Sequence, residues 1–581
     1  MEPGHSVDRW AHGDGGVDPA VAAAYVAQGW WGTDTLAQVV ARHGATKPQA
    51  PALIVPGAAP DSDVVFTWSD YDRRSTQLAA AMVDVGLEPG DRVGVLLPDG
   101  PAVHTALLAA GKAGLVAVGI GHRAGDAEVR HLLERTKATA IVTHGERGGR
   151  PAAEVVAEMA QGKLAGLRSL VVPEGELEDG LRLDGQAIDV RRPATAEAAI
   201  AGRAVGPDDL FLVNSTSGTT GLPKCVAHTE NRWFYFHQLA VESGALNEND
   251  VFYGAVPAPF GFGQWTVHFT PAILGCPTIV SPRFSADDAL RTIARFGVTV
   301  LACVSTQFIM MLNSPLIDEV DLSSLRAMYT GGEAVPYERA AAFEERTGAV
   351  VLQFYGSNET GTLSRTSLTD TRERRLRTAG RIIDAMQVRV YDPAGQPVSG
   401  SVRTGIPAGR GPATCLGYLD DDAANAELLT DDRWMLMGDI VEVDEEGYLR
   451  VVGRTSDIVI RGGKNISAPA VEAELAEHPN VALVAAVAMP DPIFGERVCV
   501  YVVARGDAIP TLEDLTGFLA ERGVSKEWFP ERLELVDDLP RSSGAKVAKG
   551  ELRADIRRRL ADEASASLSV EGLGPRARDR G

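Results

Sequence analysis

The stretch Leu210-Phe-Leu-Val-Asn-Ser-Thr-Ser-Gly-Thr-Thr-Gly-Leu-Pro-Lys224 opens as an apolar strand over Leu210–Val213 and becomes a loop of Ser, Thr and Gly that ends on a lysine. A helix is predicted beyond it through Trp233–Val241. Glycines let such a loop turn tightly, so backbone N–H groups, hydroxyls and the Lys224 ammonium can surround phosphate oxygens. The spacing is not that of the GxxxxGK[ST] loop, which argues against ordinary P-loop phosphoryl transfer. A strand that delivers such a loop to a following helix is the pattern of an α/β protein.

Upstream, residues 64–143 repeat the strand and helix alternation. The apolar run Val64–Trp68 leads to Ser69 as the expected N-cap of a helix facing inward through Tyr71, Leu78, Met82 and Val83, ended by Gly86. Strands are expected at Val93–Leu97, Leu115–Ile120 and Ala140–Thr143, with helices at Ala106–Ala113 and near Glu128–Arg135. Continuous apolar strands joined by helices imply a parallel sheet covered on both faces. A polar stretch, roughly 145–205, reads as a separator, after which strands are expected at Val251–Val256, Thr278–Val280, Val298–Val304 and Val350–Phe354. The pattern turns β-rich after Asp384. A smaller α+β unit follows Gly453, with helices at Val471–Glu477 and Thr511–Arg522 and strands at Val481–Ala488, Val498–Val503 and Leu533–Val536. The expected class is α/β: a large multi-lobed N-terminal domain over 1–453, with parallel sheets and a β-rich lobe, then a small mobile α+β domain over 454–556. Residues 557–581, with three arginines at 557–559, read as a helix end and a disordered tail.

At 581 residues the chain is long enough for several domains. With 45% hydrophobic and 23% charged residues it falls among globular proteins. A net charge of −22 repels nucleic acid and anionic membrane surfaces. Five scattered Cys without CxxC spacing encode neither a disulfide framework nor a zinc site. The N-terminus lacks a signal-peptide pattern, and no apolar run approaches the roughly 18 residues needed to span a bilayer, so a cytoplasmic protein without membrane insertion is expected.

Residue by residue, Asn214–Lys224 resembles the phosphate loop of the adenylate-forming superfamily. That superfamily comprises acyl- and aryl-CoA synthetases, aryl-acid-activating enzymes of siderophore synthesis, nonribosomal adenylation domains and firefly luciferase. Five further segments stand in the same order and spacing, so the resemblance covers nearly the whole chain. It implies attack of a carboxylate on the α-phosphate of ATP to give acyl-AMP and pyrophosphate, with Thr216, Ser217, Gly218, Thr219, Thr220 and Lys224 on the phosphates. In Tyr355-Gly-Ser-Asn-Glu-Thr-Gly361, Tyr355 would stack on adenine. Asn358 stands where the family usually has Thr and would make the polar contact to the α-phosphate or the carboxylate, and Glu359 would help to hold Mg²⁺. Asp439, ending Trp434-Met-Leu-Met-Gly-Asp439, would accept from both ribose hydroxyls.

In Gly453-Arg-Thr-Ser-Asp457 the resemblance places Arg454 near phosphate and ribose oxygens. Ser456 takes the place of the pivot, Asp or Lys in relatives, about which the small domain turns between two half-reactions. Pro540-Arg-Ser-Ser-Gly-Ala-Lys546-Val-Ala-Lys549 resembles the C-terminal GK loop, with Ala545 for its Gly. Lys546 is implied as the catalytic cation that neutralises charge as the carboxylate meets the α-phosphate, whereas Lys549 reads as a surface residue. Ser543-Gly-Ala-Lys546 also spells the SxxK of penicillin-recognising enzymes, but neither SDN nor KTG occurs.

Ala255-Val-Pro-Ala-Pro-Phe-Gly-Phe-Gly-Gln-Trp265 resembles the loop that lines the acyl pocket, with Phe260 at its gate. Segments Met489–Arg497 and Phe518–Gly523 are similar to dihydroxybenzoate-activating enzymes, which read an aryl hydroxyl with an Asn where this chain has Gly261. A Gly makes no such contact, so poor discrimination for a hydroxybenzoate is expected. Gly261, Gly263, Gly331 and Gly332, with Phe262 and Trp265, imply either a roomy apolar acid pocket or backbone turns. The implied function is an AMP-forming acid:CoA ligase for an apolar, bulky cyclic or aromatic acid, using ATP, Mg²⁺ and CoA. The alternative is a stand-alone acyl-AMP ligase that serves the phosphopantetheine of a separate carrier protein, since no carrier domain follows residue 556. A nucleotide-binding protein without catalysis is disfavoured by Lys546.

Overall fold

In a computed structural model of the chain the described residues are 17–173, 177, 180–215, 223–332, 335–454, 457–461, 464–506, 508–541 and 546–571. They form two compact units, one of residues up to 437 with 441–451, the other of 438–440, 452–541 and 546–571.

The first unit holds two nine-stranded sheets. At the centre of one, Arg168–Val171, Ala140–Thr143, Arg92–Leu96, Val116–Gly119 and Leu212–Ser215 lie side by side in parallel. Their runs of Val, Ile, Leu and Ala are buried on both faces, as a sheet sandwiched between helices requires. Antiparallel strands Cys225–His228 and Gly417–Tyr418 extend it at one edge. In the other sheet Val350–Ser357, Ala327–Gly331, Val300–Ala302, Phe252–Gly254, Thr278–Ile279 and Pro51–Val55 are parallel. A continuous core that includes Leu78, Leu107 and Leu239 joins the sheets through helices Trp68–Asp84, Pro101–Lys112 and Glu230–Gly244. A β-rich lobe is built on Arg403–Arg410, which pairs antiparallel with Gln387–Tyr391 and with Asp439–Val443.

Three expectations are corrected. Strand Val64–Thr67 opens no unit of its own but pairs antiparallel with Pro51–Val55 in the second sheet. The following helix is capped by Thr67 rather than Ser69: its hydroxyl accepts from Asp70 N at 3.1 Å while Asp70 accepts from Thr67 N at 3.2 Å, a reciprocal cap of about 1 kcal/mol. The stretch read as a separator contributes Arg168–Val171 to the first sheet, because Ser169, Leu170 and Val171 bury the apolar edge of Ala140–Thr143.

In the second unit Val481–Asp491 and Gly495–Ala504 form a long hairpin, joined by Ile458–Arg461, Lys464–Ser467 and the parallel strand Arg532–Leu535. Helices Ala468–Leu475, Leu512–Glu521 and Lys549–Glu571 complete this α+β unit. The last helix carries through the arginine run to Glu571, since Arg559 pairs with Asp555 one turn back at 2.6 Å and with Glu534 at 2.8 Å.

Candidate active site

Leu212–Ser215 and Cys225–His228 form a hairpin with Ser215 opposite Cys225, so the phosphate-type loop leaves and re-enters the same sheet. Helix Glu230–Gly244 begins only after the second strand, because Cys225, Val226, Ala227 and His228 are all buried and pair back instead of coiling. Thr216, Ser217, Gly218, Thr219 and Thr220 lie outside the described residues, as does Ser456. Lys224, at the returning end, holds its ammonium 4.9 Å over the Tyr418 ring and 3.6 Å from Glu427.

Strand Val350–Ser357 carries Tyr355 and delivers Asn358 and Glu359 just beyond its end. Glu359 is buried, and its Oε1 accepts from the Tyr418 hydroxyl at 2.7 Å. Burial, reinforced by Glu359, pushes the Tyr418 hydroxyl far up and keeps it a donor. Lys224, Tyr418 and Glu359 thus form one stack, although Tyr418 carries no motif. It is placed by the pairing of Gly417–Tyr418 with Cys225–His228. Among the described residues no cluster of three or more His, Cys, Asp and Glu could hold a metal by itself. One positioned carboxylate suits Mg²⁺, which keeps several waters and leans on substrate phosphates, so Glu359 fits that ion.

A second group was not visible in the sequence. Arg232 and His228 are fully buried, and Arg232 Nη1 donates to His228 Nδ1 while its guanidinium lies 4.7 Å from the Trp233 ring centre. His228 Nε2 stands 2.7 Å from Asn214 Oδ1, which also accepts from Asn358 Nδ2 at 2.6 Å. Burial and the neighbouring Arg232 hold the His228 imidazole well below its ordinary pKa, hence neutral. Burial also lowers Arg232 to about 10. One of the two N–H donors of the Asn358 amide is therefore directed at Asn214.

The acid-pocket residues start from a tight turn. Gly261–Gly263 is one helical turn that Phe260 precedes, and it continues into a π-helical turn over Gln264–Phe269. Phe260 and Phe262 are half-buried, and Phe262 stands edge-on to Trp265 at 5.5 Å. Trp265 in turn stacks on Phe354 at 4.7 Å. The loop is pinned from behind, as Ala258 N donates to Asp99 Oδ1 at 2.9 Å and Gln264 Nε2 donates to Ala258 O at 2.8 Å. Burial pushes the Asp99 carboxyl up to about 7. Gly331 adds no room: a Cβ there would stand 2.4 Å from Phe354 O in the paired strand, so its glycine serves close backbone approach. At Gly261 a Cβ would stand 2.9 Å from Asn358 Oδ1, so the space expected to be open is filled by the Asn358 amide.

Asp439 is buried at the start of its strand, and Arg454 ends the strand Leu449–Arg454. Lys546 is half-buried in the second unit. Lys549 is not a surface residue. Its Nζ lies 2.8 Å from Glu472 and 3.4 Å from Asp457, which Arg553 also reaches at 3.0 Å. Two carboxylates brought in from distant segments draw it inward.

Residues 40–419 match the AMP-binding enzyme family, and residues 470–546 match the AMP-binding enzyme C-terminal domain. The chain is 30% identical over 549 residues to the 2,3-dihydroxybenzoate-AMP ligase of Bacillus subtilis (strain 168), covering 93% of this chain and 97% of that one. It is 29% identical over 555 residues to the medium-chain fatty-acid–CoA ligase of Escherichia coli (strain K12), covering 93% and 94%. In fold it is similar to the anthranilate CoA ligase AuaEII in complex with anthranoyl-AMP, with a TM-score of 0.78 at 23% identity over 91% of this chain and 98% of that one. Among the described residues no helix is long and apolar enough to cross a membrane. The chain belongs to the AMP-binding enzyme family and is an ATP-dependent, adenylate-forming acid ligase.

Proposed function

We propose that this chain is an AMP-forming acid:CoA ligase for a largely apolar cyclic or aromatic carboxylic acid. A carboxylate oxygen attacks the α-phosphorus of ATP, the bond to the bridging oxygen breaks, and pyrophosphate leaves with the electron pair. The CoA sulfur then attacks the acyl carbon, AMP departs with the former carboxylate oxygen, and the thiol proton is released. The observation that carries this reading is the stack of Lys224, Tyr418 and Glu359, which joins a cation for phosphate to a held carboxylate. In this reading Thr216, Ser217, Gly218, Thr219 and Thr220 wrap the phosphates with Lys224. Tyr355 covers adenine, Asp439 the ribose, and Arg454 the nucleotide oxygens. Glu359 and the phosphate oxygens would hold Mg²⁺, which neutralises phosphate charge when bound. Phe260 and Phe262 meet the ring of the acid, and Ser456 is the pivot between the two steps.

Lys546 supplies the charge that lets two anions meet, an effect worth most in the transition state. Lys546→Ala should therefore lose about 10² in pyrophosphate exchange, ~3 kcal/mol, while ATP binding persists. Undiminished exchange would sink the assignment. Exchange with a panel of acids, followed by thioester assay with CoA and with carrier proteins, tests the whole reading. Adenylate without CoA thioester, but with carrier loading, would transfer the function to a stand-alone acyl-AMP ligase.

A further inference from the structure

Each donor and acceptor between Arg232 and the acid-pocket loop can be assigned from the two ends of the chain of contacts. A guanidinium only donates, so His228 Nδ1, its partner, accepts. The imidazole hydrogen then sits on Nε2 and points at Asn214, whose atom 2.7 Å away must be the amide oxygen. The other end agrees: Asn214 Nδ2 donates at 3.3 Å to the carbonyl of Pro259, a group that only accepts. Because Asn214 offers an oxygen, the Asn358 atom 2.6 Å from it must be the amide nitrogen. The Asn358 amide cannot be flipped without placing two acceptors in contact. Its oxygen is therefore the atom turned toward Gly261, 2.9 Å from where a Cβ would stand, and the edge of Trp233 is 3.7 Å from that same Cβ position. That oxygen is buried and has no hydrogen-bond partner among the described residues.

A buried acceptor left unpaired costs about 1–3 kcal/mol, so a ligand that brings an N–H or O–H to it is favoured over one that does not. Asn214 opens the stretch that resembles the phosphate loop and Asn358 precedes Glu359, whereas Gly261 belongs to the acid loop. In the adenylation reading this oxygen would face the carboxylate end of the acid. Resting on the adenylation reading above, we propose that Asn358 determines specificity for an acid bearing a hydroxyl or amino hydrogen-bond donor beside its carboxylate. Arg232, His228 and Asn214 act as positioning residues that hold the acceptor in this orientation.

The test is pyrophosphate exchange by the full-length enzyme with benzoate, 2-hydroxybenzoate, 2-aminobenzoate and 2-methoxybenzoate. Each acid is scored as kcat/KM relative to benzoate within the same enzyme. The wild type should favour both donor-bearing acids by about tenfold or more and show no gain for the methoxy compound, which only accepts. In Asn358→Thr and Asn358→Leu that ratio should fall toward one, and the ratio is independent of any general loss of rate. Exchange with all four acids at equal efficiency overturns the inference while leaving adenylation intact, and a preference for the methoxy acid overturns it as well. Exchange with aliphatic acids run as controls, but with none of the four benzoates, overturns the inference alone, and absence of exchange with every acid overturns the adenylation reading as well. Should both variants be too slow to assay, the wild-type series alone decides.

Discussion

Gly261 and Asn358 divide one space between them: a Cβ on Gly261 would meet the Asn358 amide oxygen at 2.9 Å, closer than side-chain carbons approach such atoms. Each residue is a departure from the family pattern, and the contact makes the two departures one feature. The space that a side chain at 261 would take is held by the Asn358 amide.

Gly261→Asn should therefore not create a reader of hydroxyls. It pushes Asn358 off Asn214 and should lower kcat/KM for every acid by about tenfold or more, roughly the 1–3 kcal/mol of an overpacked site, while changing the KM for ATP little. Pairing it with Asn358→Thr frees the space, so the double variant should recover part of the loss. A double-mutant cycle on pyrophosphate exchange measures this coupling. Strict additivity of the two losses would refute the shared space.

The Tyr418 hydroxyl orients Glu359 from 2.7 Å, and its ring lies under the Lys224 ammonium. Tyr418→Phe keeps the ring and removes only the hydrogen bond to the carboxylate. The expected result is a rise of about fivefold or more in the Mg²⁺ concentration for half-maximal exchange, in line with about 1 kcal/mol for one charge-assisted bond. A magnesium titration unchanged from wild type would separate Glu359 from the metal.

Asp99 gives the acid loop a pH dependence whose sign follows from burial. Its carboxyl is raised to about 7 in the fold from an ordinary 3.8. The protonated form is favoured, so the contribution to stability is full below about 4 and is lost as pH rises through about 7. Asp99→Asn can keep the acceptor for Ala258 N and abolish the titration. The Tm of this variant relative to wild type should thus be higher at pH 8 than at pH 5.5, measured by thermal unfolding in matched buffers. A difference that does not change with pH would place an ionised Asp99 in a solvated setting.

Ala140–Thr143 is one strand by pattern and by structure, because a short run of three apolar residues ending on a β-branched Thr is too brief for a helix. Val64–Thr67 is also a strand, yet it pairs with Pro51–Val55 in the other sheet: local alternation says that a segment is extended and not which sheet receives it. The site divides the same way. Tyr355, Glu359 and Lys224 are announced by their own motifs. Tyr418, His228 and Arg232 stand in unremarkable segments and become site residues only when sheet order lays Gly417–Tyr418 beside Cys225–His228. The Ser456 pivot and the 216–220 loop rest on the motifs alone.

Lys549 shows the cost of reading a lysine by its neighbours in sequence. Its ammonium lies between Glu472, 77 positions away, and Asp457, 92 positions away, the residue after the proposed pivot. Burial raises Glu472 toward protonation, and Lys549 opposes it, while Glu472 also accepts from Ala486 N at 2.6 Å. Removing the cation takes away the ammonium that both carboxylates share. An ion pair broken on one side commonly costs about 3–5 kcal/mol, more than replacement of both partners. Lys549→Met should thus loosen the anchor of Ile458–Arg461 on helix Lys549–Glu571. In the full chain, amides of that helix and of Val481–Asp491 should exchange with deuterium about 10²-fold faster. Lys549→Met combined with Glu472→Gln should restore much of the protection, since the amide needs no cation. Equal protection in the single variant and the wild type would mean that water, not Lys549, balances these carboxylates.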